Sequence, residues 1–181
     1  MRTIPLAVSA LVLGTLAMGA LAKDITGTPG DDLFSGTPEA DRIAALAGHD
    51  DIQARGGDDV LDGGPGNDEL FGGDGNDAID GGPGDDYLDG RGGDDTLTGG
   101  PGRDLFAYYA KDYDKPVDNG RDMVTDFDGA AGDAILLSGF VQAEVSVRTE
   151  GGDTVIELPG PSGRITLRRV ARLDDDDLTF R

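Results

Sequence analysis

Residues 63–89 read GGPGNDELF GGDGNDAID GGPGDDYLD, a single nine-residue pattern written three times. Each copy opens on glycines, places an aspartate sixth and an apolar residue eighth. Glycine at that density disfavours helix and regular strand, because ordering it costs more conformational entropy than ordering any other residue. It suits tight reversals of the chain that need positive φ. The three remaining positions suit one brief strand whose central side chain points to a single face.

The pattern runs well beyond these copies. With Gly27 as position one, residues 27–107 fall into nine unbroken nonapeptides. Position six is Asp32, Asp41, Asp50, Asp59, Asp68, Asp77, Asp86, Asp95 and Asp104. Position eight is Phe34, Ile43, Ile52, Leu61, Leu70, Ile79, Leu88, Leu97 and Phe106, and position four is glycine except at Glu39. A fixed period of this kind marks a solenoid. Turn and strand alternate, two nonapeptides close one flattened coil, and stacked coils pair their strands in parallel. The predicted fold is all-β, a parallel β-roll over residues 27–107 followed by a β-strand-rich cap over 108–181.

Stacking places the turns of odd repeats in one column and those of even repeats in another. Each aspartate then lies beside the aspartate two repeats on, and like charges that close repel. A hard divalent cation reverses the sign. Calcium accepts six to eight oxygens in flexible geometry, backbone carbonyls included, whereas magnesium demands a tighter octahedron. Zinc and copper favour imidazole or thiolate, and the chain holds only His49 and no cysteine. The expected ligands are the nine position-six aspartates. Their stacked pairs, four odd and three even, accommodate up to about seven Ca²⁺ ions, one ion per pair. One apolar residue in nine is too thin a core to hold the roll alone, so ion binding is expected to drive folding.

Composition supports this reading. The formal net charge is -21, and residues 27–107 carry four basic against twenty acidic side chains. Such a surface repels phosphates, which excludes nucleic acid as a partner. With no cysteine, no disulfide framework is available. Residues 1–22, MRTIPLAVSALVLGTLAMGALA, join a basic start to a long apolar run ending in small residues, the pattern of a cleaved secretory signal, with an uncleaved membrane anchor as the alternative. The expected location is outside the cytoplasm, extracellular or periplasmic. Beyond Ala107 the register breaks. Gly120–Val124, Asp126–Asp128 and Gly132–Ile135 echo the repeat, and residues 154–158 and 164–167 flank a Pro-Gly-Pro-Ser-Gly turn as a hairpin.

The nonapeptides resemble the repeats-in-toxin (RTX) haemolysin-type calcium-binding repeat. That resemblance implies a β-roll with calcium between successive coils, each ion taking aspartate carboxylates and turn carbonyls from two stacked repeats. Residues 108–181 more loosely resemble the segment that follows such rolls in type I secretion substrates, which implies secretion machinery as a partner. The repeats GTPEADRIA, ALAGHDDIQ and ARGGDDVLD lose glycines at positions one, two or four, so weaker sites are expected at Asp41, Asp50 and Asp59.

Catalysis is not expected. No H-E-x-x-H helix and no G-x-S-x-G elbow is present, and one histidine without cysteine assembles no familiar nucleophile–base pair. His49 reads as a surface residue. Tyr108, Tyr109 and Tyr113 read as packing between roll and cap, and Arg164, Arg168, Arg169 and Arg172 as a balance for Asp174–Asp177. The alternative function is a polysaccharide- or surface-binding module shaped by calcium, since similar rolls accompany alginate-modifying enzymes and adhesins; Tyr108, Tyr109 and Arg168 would then supply contacts.

Overall fold

The computed structural model describes residues 22–112, 115–159, 163–174 and 176–181. The apolar leader, Ala22 excepted, and Tyr113 lie outside them, as does part of the Pro-Gly-Pro-Ser-Gly turn. The chain forms strands β1 (Asp24–Thr26), β2 (Leu33–Ser35), β3 (Arg42–Ala44), β4 (Asp51–Gly56), β5 (Val60–Asp62) and β6 (Glu69–Asp74). Next come β7 (Ala78–Asp80), β8 (Tyr87–Gly92), β9 (Thr96–Thr98) and β10 (Leu105–Tyr109). The remaining strands are β11 (Lys111–Asp112), β12 (Lys115–Pro116), β13 (Arg121–Val124), β14 (Ala134–Ser138), β15 (Ser146–Glu150), β16 (Asp153–Glu157), β17 (Arg164–Leu167) and β18 (Leu178–Phe180).

Successive strands alternate between two sheets. One sheet runs β1-β3-β5-β7-β9-β13-β17-β16-β15 and the other β18-β14-β10-β8-β6-β4-β2. Through the repeats all pairing is parallel and in register, Leu70 beside Leu88 and Ile79 beside Leu97. Strand length follows the nine-residue period: six residues of turn leave room for three of strand, and β4, β6 and β8 gain three more from the opening of the next turn. All nine position-eight side chains are buried between the sheets. The intervening positions, such as Leu33 at 55% exposure, face out. The interior is thus one side chain per half-coil deep.

The sheets do not stop where the period does. After β10 the chain leaves the roll for the small antiparallel pair β11–β12, then returns as β13 beside β9 and as β14 beside β10, both in parallel. Strands β17 and β18 extend the two sheets once more, also in parallel. Only β16 and β15 turn antiparallel, β16 forming the expected hairpin with β17. The exposed edge strand β15 carries Arg148 and Glu150, charges that discourage further strand addition. The buried cluster continues into this region through Val124, Ile135, Leu137, Ile165 and Leu167.

Because the interior is a single file of side chains, one truncation removes a whole layer of contact. Leu70→Ala is expected to cost about 2–5 kcal/mol, and Leu33→Ala less than about 0.5 kcal/mol. Thermal melts of both variants at saturating calcium measure the difference.

Candidate metal-binding turns

The position-six aspartates form two ladders. In the odd column the backbone N–H of Asp50 donates to Asp68 Oδ1 at 2.8 Å, Asp68 to Asp86 at 2.8 Å and Asp86 to Asp104 at 3.0 Å. In the even column Asp41 donates to Asp59 at 2.6 Å, Asp59 to Asp77 at 2.8 Å and Asp77 to Asp95 at 2.8 Å. One carboxylate oxygen of each aspartate therefore fixes the coil beneath it. These side chains are buried despite their charge, Asp68 and Asp104 each at 1% exposure.

The second oxygen has a different fate. Oδ2 of Asp50, Asp59, Asp68, Asp77, Asp86, Asp95 and Asp104 is buried without any hydrogen-bond partner. Buried polar atoms are almost always paired, and an exception calls for an explanation such as an ion. The surroundings are oxygen-rich. A methyl group built on Gly63 would lie 2.6 Å from Asp68 Oδ2 and 2.7 Å from the carbonyl oxygen of Gly81 on the next coil. Gly72 with Asp77 and the Gly90 carbonyl, and Gly81 with Asp86 and the Gly99 carbonyl, repeat the arrangement. Position one is glycine because a side chain would fill the space these oxygens share. Among the described residues no three carboxylate or imidazole side chains converge, so backbone carbonyls must complete any coordination. That donor set fits calcium and not a thiolate- or imidazole-seeking metal.

The charges register the missing partner. Burial pushes Asp77 and Asp86 up to about 7, the backbone N–H donors opposing it and stacked carboxylates adding to it. Burial likewise raises Asp59, Asp95 and Asp104 to about 6. Asp50 and Asp68 shift upward for the same reason.

The columns close differently at their ends. Positions two of the tidy repeats have left-handed φ, 87° at Gly64 and 97° at Gly82. Leu46, Arg55 and Arg91 adopt the same region at 83°, 85° and 68°, strained for residues with a side chain. β-Branched threonine resists it, and Thr28 and Thr37 hold position two in the first two repeats. There the turn presents its N–H to the carboxylate instead. Thr28 donates to Asp32 Oδ2 through N–H at 2.6 Å and Oγ1 at 3.0 Å. Thr37 donates its N–H to Asp41 Oδ2 and its hydroxyl to Asp41 Oδ1. The third and fourth repeats differ again, with buried Ala45 and Ala54 at position one in place of glycine. Of the three repeats expected to be weak, Asp50 and Asp59 keep a free oxygen and Asp41 does not.

At the other end both ladders outlast the nonapeptides. Asp95 donates to Asp122 Oδ1 at 2.9 Å and Asp104 to Asp133 Oδ1 at 3.0 Å. Asp133 Oδ2 is satisfied by the Asp128 N–H at 2.8 Å, and Asp126 accepts the N–H groups of Gly99 and Gly100 at 3.0 and 2.9 Å. A second ladder, of opposite polarity, runs at position five: Asn67 Oδ1 accepts from Asp85 at 3.0 Å and Asn76 Oδ1 from Asp94 at 2.8 Å. Its sequence signal is the recurrence of Asn or Asp directly before position six. His49 is a rung of it, Nδ1 accepting the Asn67 N–H at 3.1 Å.

The other singled-out residues take structural places. Tyr108 is buried, and Tyr109 bonds Tyr87 hydroxyl to hydroxyl at 2.7 Å. Among the described residues Arg164 pairs with Glu150 at 2.8 Å and Arg168 approaches Asp153 at 3.9 Å, partners on the neighbouring hairpin strands.

Fold and turns together define a parallel β-roll built to take cations between its coils. Residues 26–61, 35–70 and 71–106 match the RTX calcium-binding nonapeptide repeat (4 copies). Among solved structures it resembles the extracellular lipase LipA from Serratia marcescens at 15% identity and a TM-score of 0.37. That match covers 91% of this chain and only 41% of the lipase. It also resembles the AlgE6R3 subunit of the Azotobacter vinelandii mannuronan C5-epimerase, at 24% identity and TM-score 0.35, over 98% of this chain and 86% of that one. The AlgE6R2 subunit of the same epimerase matches at 23% identity and TM-score 0.33, over 86% and 91%. No curated protein matches the chain at a significant level.

Raised carboxyl pKa values fix the sign of a pH effect. The folded turns hold protons that the unfolded chain releases near 4. The metal-free roll is therefore expected to be most stable below about pH 4 and to lose stability as pH rises through the folded values of about 6 to 7. Far-UV circular dichroism in chelator across this range should show β-sheet receding with rising pH.

Proposed function

We propose that the chain is an exported calcium-binding protein whose repeats fold as they take up calcium. The seven buried, unpartnered Oδ2 atoms of Asp50 through Asp104 carry this reading. Each faces a space where only positive charge would relieve both its desolvation and the repulsion of its stacked neighbour. Asp68, Asp77, Asp86, Asp95 and Asp104, with glycine at position one, are the principal ligands, and turn carbonyls such as that of Gly81 complete their shells. Asp50 and Asp59 hold calcium more weakly, because the methyl groups of Ala45 and Ala54 intrude on the position-one space. Asp32 and Asp41 stay bound to their threonines. Calcium would supply the positive charge that the protein lacks there, coordinated by the turn oxygens.

The apolar segment 1–22 supports export, and dependence on about millimolar calcium, the affinity range of extracellular modules, fits a protein that stays unfolded until it leaves the cytoplasm. The polysaccharide reading has less support. Tyr108 is buried and offers no platform, and in the groove beside Tyr109 the cations Arg55, Arg91 and Lys111 are outnumbered by Asp74, Asp89, Asp94 and Asp118.

At pH 8 the protein is expected to give a coil-like far-UV spectrum in chelator and a β-sheet spectrum on calcium titration; β-sheet persisting in chelator at that pH would defeat the proposal. Asp68→Asn should raise the calcium midpoint about tenfold, the factor that ~1.4 kcal/mol represents, whereas Asp32→Asn should shift it less than about twofold.

A further inference from the structure

The even ladder ends in an unusual way. Asp122 stands 27 residues after the aspartate whose N–H it accepts, not 18 as within the repeats. After β10 the chain leaves the roll for the pair β11–β12, and Val117 bonds the Ala110 carbonyl at 3.2 Å on its return. Gly120, at φ 63°, then stacks on Gly93 as the repeat glycines stack on each other. The next strand places Ile165 opposite Asp122, so the column of carboxylates stops there.

At every other end of a column the last carboxylate is satisfied by the protein: Asp32 by Thr28, Asp41 by Thr37 and Asp133 by Asp128. Asp122 is the exception. It is 2% exposed and its Oδ2 has no partner. Below it Asp95 Oδ2 is also unpartnered, and so is the hydroxyl of Tyr108, a fully enclosed side chain. These groups share one region: the Asp95 N–H bonds Asp122 Oδ1 at 2.9 Å, and the Tyr108 hydroxyl lies close enough to interact with both carboxylates. Three buried oxygens from three different half-coils lie where the interior meets the end of the roll.

We propose that Asp122, Asp95 and the neutral Tyr108 hydroxyl hold one more calcium ion than the nonapeptides provide, in a site that Asp122 and Tyr108, beyond the repeat match, build onto the last even repeat. The site rests on the reading that repeat carboxylates take calcium. It differs from the others in recruiting a side-chain hydroxyl from the opposite sheet, β10, and so ties the first non-repeat coil to both faces of the roll.

The test counts calcium bound to the full chain by equilibrium dialysis. Asp122→Asn is expected to bind one ion fewer than wild type with an unchanged β-sheet spectrum. An equal count in the two proteins would overturn the site and leave the repeat reading intact, and no calcium on wild type would overturn both. Should Asp122→Asn fail to fold, terbium in place of calcium decides the matter. The chain has no tryptophan, so emission excited through tyrosine reports an ion beside a tyrosine ring. Tyr108→Phe should abolish most of that emission; undiminished emission would refute the site.

Discussion

One hydrogen bond organises the roll: the N–H of each position-six aspartate to the carboxylate of the aspartate a coil away. It sets the stacking of the turns, brings like charges to the spacing of neighbouring strands, about 4.8 Å, and commits one oxygen of every carboxylate to the protein. An asparagine in its place would keep that bond and discard the charge. The chain retains the charge at all nine positions, which makes sense only if the other oxygen has work that a neutral amide oxygen does poorly. The interior cannot offset the repulsion on its own, since each half-coil contributes a single buried side chain such as Leu70 or Leu97.

A solenoid must also end, and here three of the four column ends are closed with the chain's own donors. Threonine at position two does this at the start: the side chain that forbids the left-handed turn is the side chain that supplies the hydroxyl to Asp32. At the far end the backbone of Asp128 serves Asp133, and the antiparallel hairpin turns the last sheet edge into one lined by Arg148, Glu150 and Arg164. Those ion pairs are exposed and contribute little to stability; their value lies in making the edge unattractive to another strand. Dependence on a cation is thus uneven along the axis, slight at the threonine turns and greatest where glycine leaves the turn hollow.

The central architecture was legible because two positions of the nonapeptide never vary. Aspartate at six and an apolar residue at eight predict the turn, the strand and the single file of core residues, and all nine apolar residues are buried as that pattern demands. Glycine content alone does not separate the degenerate repeats from one another. What decides the state of Asp41 is the threonine at position two, whose effect depends on a backbone angle that spacing does not reveal. Position five escaped notice because its residues vary, Asp, Asn and His all serving as acceptors of the same N–H. The cap was the least legible part. The hairpin could be read from its flanking strands, but the continuation of both parallel sheets through β13, β14, β17 and β18 could not, because no constant period marks it.

That continuation shows what a period can and cannot convey. Asp122 keeps the nine-residue phase of the repeats, yet it stacks on Asp95, 27 residues back, because the chain detours through β11 and β12 after β10. Asp133 has lost the phase, standing 29 residues from its partner Asp104, yet it occupies the equivalent rung of the other column. Membership of a ladder is therefore decided by which backbone N–H a carboxylate meets, and not by its distance along the chain. Where the partner is a second backbone donor, as at Asp133, the rung is complete within the protein. At Asp122 no second backbone donor takes that place, and the carboxylate ends its column beside the buried Tyr108 hydroxyl.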